Sequence, residues 1–133
     1  MSLQEVCNIL RSLPMQPDTA AQVHAAAMTA LRKAGYQVHP EFYLHYGDRD
    51  GRIDIAVCKD GLWTAIEIDA RKPRANSIRK LLAFAGTRVV ALRGVEGQAP
   101  EGIDAVVAVP VRLSTHKELA DKRTTSKFRG GYR

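Results

Sequence analysis

The stretch GRIDIAVCKDGLWTAIEIDA, residues 51–70, decides the fold of this chain. It contains two runs rich in β-forming residues, 52–58 and 62–70, and the turn sequence between them is typical of a hairpin. The stretch therefore predicts two neighbouring antiparallel strands. Because side chains alternate along a strand, we expect Asp54 to face away from three apolar residues of its own strand, Ile53, Ile55 and Val57.

Three carboxylates lie on these two strands. Glu67 and Asp69 stand two positions apart and project from one face, and Asp54 of the first strand lies within cross-strand reach. Carboxylates this close repel one another unless a cation lies between them, and their oxygens suit Mg²⁺ or Mn²⁺. The acids therefore predict a metal site or, alternatively, ion pairs with neighbouring cations, Arg52, Arg71 and Lys72.

The rest of the chain mixes helical and β-forming segments. The predicted elements are helices over 2–13, 20–34 and 76–85 and strands over 36–46, 52–58, 62–70, 88–92 and 105–111. Asn76 or Ser77 is expected to cap the third helix. This order predicts an α/β fold, with a mixed sheet flanked by helices. We expect a single domain over 1–113 and a flexible basic tail over 114–133.

Asp54 in GRIDIAV and Glu67 in AIEID form a pair that resembles the motif of the PD-(D/E)XK nuclease superfamily. That superfamily includes type II restriction enzymes, Holliday-junction resolvases and many phage nucleases. Twelve residues separate the two acids, which lie on consecutive strands of the predicted meander. The order of helix, three strands, helix and strand, over about residues 19–92, is similar to the family's αβββαβ core.

The resemblance implies a restriction-endonuclease-like fold and a magnesium- or manganese-dependent DNA endonuclease, a hydrolase of phosphodiester bonds in phage or mobile-element DNA processing. Asp54 and Glu67 would be metal ligands, with Glu41 as an assisting acid. The family's lysine is replaced by Asp69 here, so Lys72 or Lys80 would supply that charge. The catalytic set implied is Asp54, Glu67, Asp69 and Lys72. The alternative is a nucleic-acid-binding module that keeps the nuclease fold without its chemistry.

Positive charge is concentrated directly after the acidic strand, and the formal net charge of the chain is +6. Basic side chains beside a helix N-terminus favour binding to a phosphate backbone, although a solvated basic face is the alternative. We expect DNA as the partner. The candidate contact residues are Arg71, Lys72, Arg74, Arg79 and Lys80 and, in the tail, Lys127 and Arg129.

Other classes of protein have no support in the sequence. The chain has neither the GxxxxGK[ST] nor the GxGxxG motif of nucleotide-binding proteins. No apolar run approaches the roughly 18 residues of a membrane helix, and we expect no signal peptide. Cys7 and Cys58 are expected as free thiols, which favours the cytoplasm of a bacterium or a phage-infected host. Double-strand cleavage would need a homodimer, for which the apolar face of residues 3–13 is a candidate interface.

Overall fold

Three helices and seven strands make up residues 2–112, which are the residues that the computed structural model describes. The helices are α1 (Ser2–Arg11), α2 (Ala20–Lys33) and α3 (Ala75–Leu82). The strands are β1 (Gln16–Pro17), β2 (Gln37–Tyr46), β3 (Arg49–Lys59), β4 (Leu62–Asp69), β5 (Thr87–Arg93), β6 (Ala105–Val109) and β7 (Val111–Arg112). The prediction of an α/β fold is confirmed.

Five of the strands form one mixed sheet, in the order β2-β3-β4-β5-β6. The first three are an antiparallel meander, whereas β5 and β6 run parallel to β4 and β5 respectively. A separate two-stranded ladder joins β1 to β7 in parallel. The sequence did not indicate this ladder, because a strand of two residues is too short to show a periodic pattern.

The helices cover opposite faces of the sheet and create two apolar cores. The first core joins Leu10 of α1 and Leu31 of α2 to Ile66 of β4. The second core joins Leu81 of α3 to Ala65 of β4. Ala65 and Ile66 are consecutive, so the alternation of β4 separates the two cores.

The apolar face of α1 is used inside the molecule. Val6 and Leu10 of α1 are buried in the first core, as is Leu13 just after the helix. This face is therefore not free to form the dimer interface that the sequence suggested.

The hairpin of β2 and β3 changes faces in its middle. Ile55 and Val57 pack in the first core as expected, but Ile53 packs in the second core, beside α3. The register is the same on both sides of the change, with Pro40 opposite Ile55 and Phe42 opposite Ile53.

The intervening residues, Glu41 and Asp54, lie opposite each other without a ladder pair, and Glu41 has a φ of 54°. This left-handed conformation interrupts the extended backbone and turns the outer half of the hairpin toward α3. The predicted alternation is therefore wrong at Ile53.

The start of α3 also differs from the prediction. Arg74 is the N-cap residue, and its own side chain does not cap the helix. Ser77 lies inside the first turn, where its hydroxyl group donates to Asp69. Asp69 of the preceding strand instead holds the start of the helix, by accepting from the backbone N–H of Arg74 and from the hydroxyl group of Ser77.

None of the helices within residues 2–112 has both the length and the apolar character needed to cross a membrane. The boundary expected at residue 113 and the basic tail expected over 114–133 lie outside the described residues.

Candidate functional site

Asp54 and Glu67 meet where β3 and β4 stop pairing through their backbones. The ladder between these strands ends at Ile55 and Ile66. Beyond it, Oε2 of Glu67 accepts from the backbone N–H of Asp54 at 2.9 Å, and Oδ2 of Asp54 accepts from the N–H of Ile68 at 2.8 Å. Each carboxylate is thus bonded to the opposite strand, and this exchange fixes the two acids next to each other.

Glu67 is a buried acid in an unfavourable electrostatic environment. Its side chain is fully buried, and burial raises the pKa of its carboxyl group. The neighbouring Asp54 carboxylate raises this pKa further, against the opposing effects of Lys80 and the Asp54 N–H. Oε1 of Glu67 has no hydrogen-bond partner among the described residues. The buried carboxylate of Glu67 therefore needs a neighbouring positive charge.

Lys80 of α3 brings a cation to this acid. Its Nζ lies 2.9 Å from Oε1 of Glu67, which makes an ion pair but not a hydrogen bond with acceptable angles. The same Nζ donates to the backbone carbonyl of Arg52 at 2.8 Å. Its side chain is only 11% exposed. Lys80 therefore joins α3, β3 and β4 at the acid pair.

Asp69 has a different set of partners. Its Oδ2 accepts from the N–H of Arg74 at 2.9 Å, and its Oδ1 accepts from Nε of Arg74 and from Oγ of Ser77, both at 3.0 Å. These bonds hold the N-terminus of α3 against the end of β4. Asp69 therefore positions the helix that carries Lys80. Its catalytic assignment stays a prediction.

Glu41 lies on the other side of Asp54, on β2. It is exposed and lines a polar cleft of about 440 Å³ together with Lys80. Within residues 2–112, no three or more acidic, histidine or cysteine side chains are grouped closely enough to hold a metal ion. The structure thus brings Asp54 and Glu67 together, whereas Glu41 does not complete a three-residue group with them.

The basic residues after β4 divide into two sets. Arg71 donates to Asp18 and to the carbonyl oxygen of Arg93. These bonds fix the loop after β4 against the rest of the molecule. Arg74 and Lys80 pair with the acids described above. Lys72 and Arg79 are exposed. The two candidates in the tail, Lys127 and Arg129, lie outside the described residues.

His24 contacts the site in a way that the sequence did not indicate. From the second turn of α2, its Nε2 donates to the backbone carbonyl of Asp54 at 2.9 Å. This bond helps to hold the interrupted segment of β3. A lone histidine in an alanine-rich helix carries no motif, so only the three-dimensional arrangement identifies it.

A scan of protein-family models finds no match to this chain, and a search of curated proteins finds none either.

Proposed function

We propose that this protein is a metal-dependent DNA endonuclease with a restriction-endonuclease-like core. The observation that carries the proposal is the exchange between Asp54 and Glu67, which fixes two carboxylates side by side where β3 and β4 separate. The order α2, β2, β3, β4, α3, β5 supports it, because it is the αβββαβ order of the nuclease family. Both acids lie on the strands where that family carries its metal ligands.

The two carboxylates suit a magnesium ion. Mg²⁺ commonly binds one or two carboxylates and completes its shell with waters and substrate phosphate oxygens. The buried Oε1 of Glu67 lies 2.9 Å from Nζ of Lys80, so it would act as a ligand atom after the ammonium group had moved aside. Asp54 and Glu67 would hold Mg²⁺ or Mn²⁺, and Glu41 would assist from the cleft. The bound ion would activate a water molecule for attack on phosphorus.

Lys80 is our candidate for the lysine that the family places two residues after the second acid. Position 69 is an aspartate, but Lys80 reaches Glu67 from α3 instead. An ammonium group at this position would stabilise negative charge that develops on a phosphate beside the acids. Lys72, the other candidate from the sequence, is exposed in the loop and is better placed to contact the DNA backbone.

DNA is the proposed substrate because of charge. The net charge of +6 favours a polyanionic partner. Lys72, in the loop after β4, and Arg79, on α3, are both exposed. Phage or mobile-element DNA processing in the bacterial cytoplasm is part of the proposal. A homodimer that cuts both strands would have to use a surface other than the buried face of α1.

A second candidate is a DNA-binding module that keeps this fold without cleavage. The observation that favours it is the ion pair of Lys80 with Glu67, because the ammonium group already neutralises the buried acid. Asp69, which stands at the family's lysine position, is also fully engaged in holding α3.

Nicking of supercoiled plasmid DNA separates these candidates. The wild-type protein is incubated with Mg²⁺, Mn²⁺ or EDTA, beside Asp54→Asn and Glu67→Gln. These changes keep the size of each side chain and remove its charge. We expect metal-dependent nicking by the wild type and a loss of at least a hundredfold in both variants.

Glu101→Gln is the matched control, because Glu101 is an exposed acid in the loop before β6. It should nick at the wild-type rate. DNA binding without nicking in any of the metals would reject the enzyme and support the binding module.

A further inference from the structure

An open cleft lies beside Lys80. Its volume of about 440 Å³ lies within the range of pockets that hold small organic molecules. The outer half of the β2–β3 hairpin forms one side and α3 forms the other. Lys80 lines the cleft and contacts Glu67, so it separates a group bound there from the buried acid.

One wall of this cleft is preformed. The hydroxyl group of Tyr46 donates to Oδ1 of Asn76 at 3.1 Å, which joins β2 to α3. A Cβ atom at Gly51 would lie 2.6 Å from Cε1 of Tyr46, so only glycine allows the ring to take this place. The wall therefore needs little reorganisation when a ligand binds.

An exposed aromatic residue and a cation stand together at the cleft. Tyr43 is 55% exposed and is the cross-strand partner of Arg52, and both line the cleft. Aromatic rings stack on nucleobases of any sequence, and arginine neutralises the phosphates that link them. This pair suits a single nucleotide of a nucleic-acid strand.

The acids of the cleft indicate which part of the nucleotide enters. Glu41 and Asp50 also line it, and Asp50 pairs with His45 at 2.6 Å. Carboxylates repel a phosphate group, but they accept hydrogen bonds from the amino groups of bases. Lys80 also lines the cleft, but its ammonium group is paired with Glu67. The lining therefore favours a base inside the cleft and the phosphate against Arg52.

We infer that the cleft holds an unpaired nucleobase, stacked on Tyr43, with Arg52 on the adjoining phosphate. This inference rests on the proposed function for the chemistry beside it, and it names the class of substrate. A base within a duplex is stacked and paired and cannot enter a pocket without being flipped out. The substrate is therefore DNA with unpaired nucleotides at the cut, such as a flap, a fork or a single strand.

Binding without cleavage tests this inference separately from catalysis. Fluorescence anisotropy in EDTA compares a labelled single strand, a flap and a continuous duplex of equal length. The proteins are wild type, Tyr43→Ala, Tyr43→Phe and, as a matched control, Leu62→Ala. Leu62 is 58% exposed at the β3–β4 turn and does not line the cleft. Circular dichroism checks that every variant is folded.

We expect the wild type to bind the flap and the single strand more tightly than the duplex. Tyr43→Ala should lose about tenfold in affinity for these two DNAs and little for the duplex, whereas Tyr43→Phe and Leu62→Ala should retain it. Displacement of the strand by the nucleoside deoxycytidine, which carries no phosphate, would support recognition of the base itself.

Equal affinities for the three DNAs, or an equal effect of Tyr43→Ala on all of them, would overturn the inference. Metal-dependent nicking would then still stand on its own evidence. Conversely, a Tyr43-dependent preference without cleavage of the flap or the single strand in Mg²⁺ or Mn²⁺ would reject the enzyme and retain the base site.

Discussion

Lys80 and Glu67 form an ion pair of 2.9 Å between α3 and β4, and both side chains are almost completely shielded from solvent. Removing one partner of such a pair leaves an uncompensated charge in the interior. We predict that Lys80→Met lowers the free energy of unfolding by about 3–5 kcal/mol at pH 7, measured by urea denaturation. The double variant Lys80→Met/Glu67→Gln should recover most of this loss. A single variant as stable as the wild type would contradict the prediction.

The pKa of Glu67 gives stability a defined dependence on pH. Burial, with a further contribution from Asp54, raises this pKa above the ordinary value of 4.5. The folded state therefore holds the proton more tightly than the unfolded state, so the stabilising contribution is complete below about pH 4.5. It is lost as the pH rises through the folded pKa.

The measurement for this prediction is the free energy of unfolding of wild type and Glu67→Gln between pH 4 and 8. The free energy of unfolding of Glu67→Gln minus that of the wild type should increase as the pH rises. Groups with lowered pKa values, such as Asp18 and Glu5, titrate in both proteins, and their contributions cancel in the difference. A difference that is constant with pH would disprove the assignment.

Asp69→Ala should damage the start of α3. The change removes the acceptor of the bonds from Arg74 and Ser77, and Ser77 is buried. We expect a loss of about 1–3 kcal/mol in the free energy of unfolding. Asp69→Asn retains one oxygen acceptor and should lose less. If Asp69 acted in the chemistry instead, Asp69→Asn would abolish nicking without a change in stability.

Lys72 and Arg79 should contribute to DNA affinity without contributing to stability. Both are exposed, whereas Arg71 is bonded to Asp18. Each phosphate contact that is removed reduces the slope of log K against log salt concentration by about 1. The double variant Lys72→Ala/Arg79→Ala should therefore lower this slope by about 2 in a salt titration of DNA binding. An unchanged slope would place the DNA elsewhere.

Gly51→Ala should disturb the cleft through a steric clash. The added Cβ would lie 2.6 Å from Cε1 of Tyr46 and 3.2 Å from Cδ of Lys80. We expect a destabilisation of about 1–3 kcal/mol in thermal or urea unfolding. Gly61→Ala is not a suitable control, because its φ of 78° adds backbone strain. Ala85→Ser, an exposed change after α3, serves instead and should be close to neutral.

The order of the elements could be predicted because it depends on local patterns. The two runs on either side of the turn at 59–61 do pair as antiparallel neighbours, with Lys59 opposite Leu62. The cap of α3 could not be predicted, since its acceptor, Asp69, is supplied by the preceding strand. Nor could the change of face at Ile53, because a strict period of two does not foresee an interruption.

Only part of the candidate site could be predicted from the sequence, because some of its contacts depend on local patterns and others on how distant elements pack. The neighbouring positions of Asp54 and Glu67 follow from strand alternation and the hairpin turn, and the structure places them as expected. The partners of the basic residues depend on how α3 packs. Lys80 on α3 therefore reaches Glu67, whereas Lys72, which is closer to Glu67 in the sequence, is exposed in the loop.

The interruption at Glu41 and Asp54 links shape to chemistry at one position. The outer half of the β2–β3 hairpin packs in the second core, beside α3, because both strands depart from regular pairing at Glu41 and Asp54. The carboxylate of Asp54 also takes the N–H of Ile68, which no backbone carbonyl of β3 accepts. Replacing Asp54 with a small apolar residue would remove this hydrogen bond between β3 and β4 as well as a candidate metal ligand. Selection for the fold alone would therefore retain Asp54, whether or not this residue binds a metal ion.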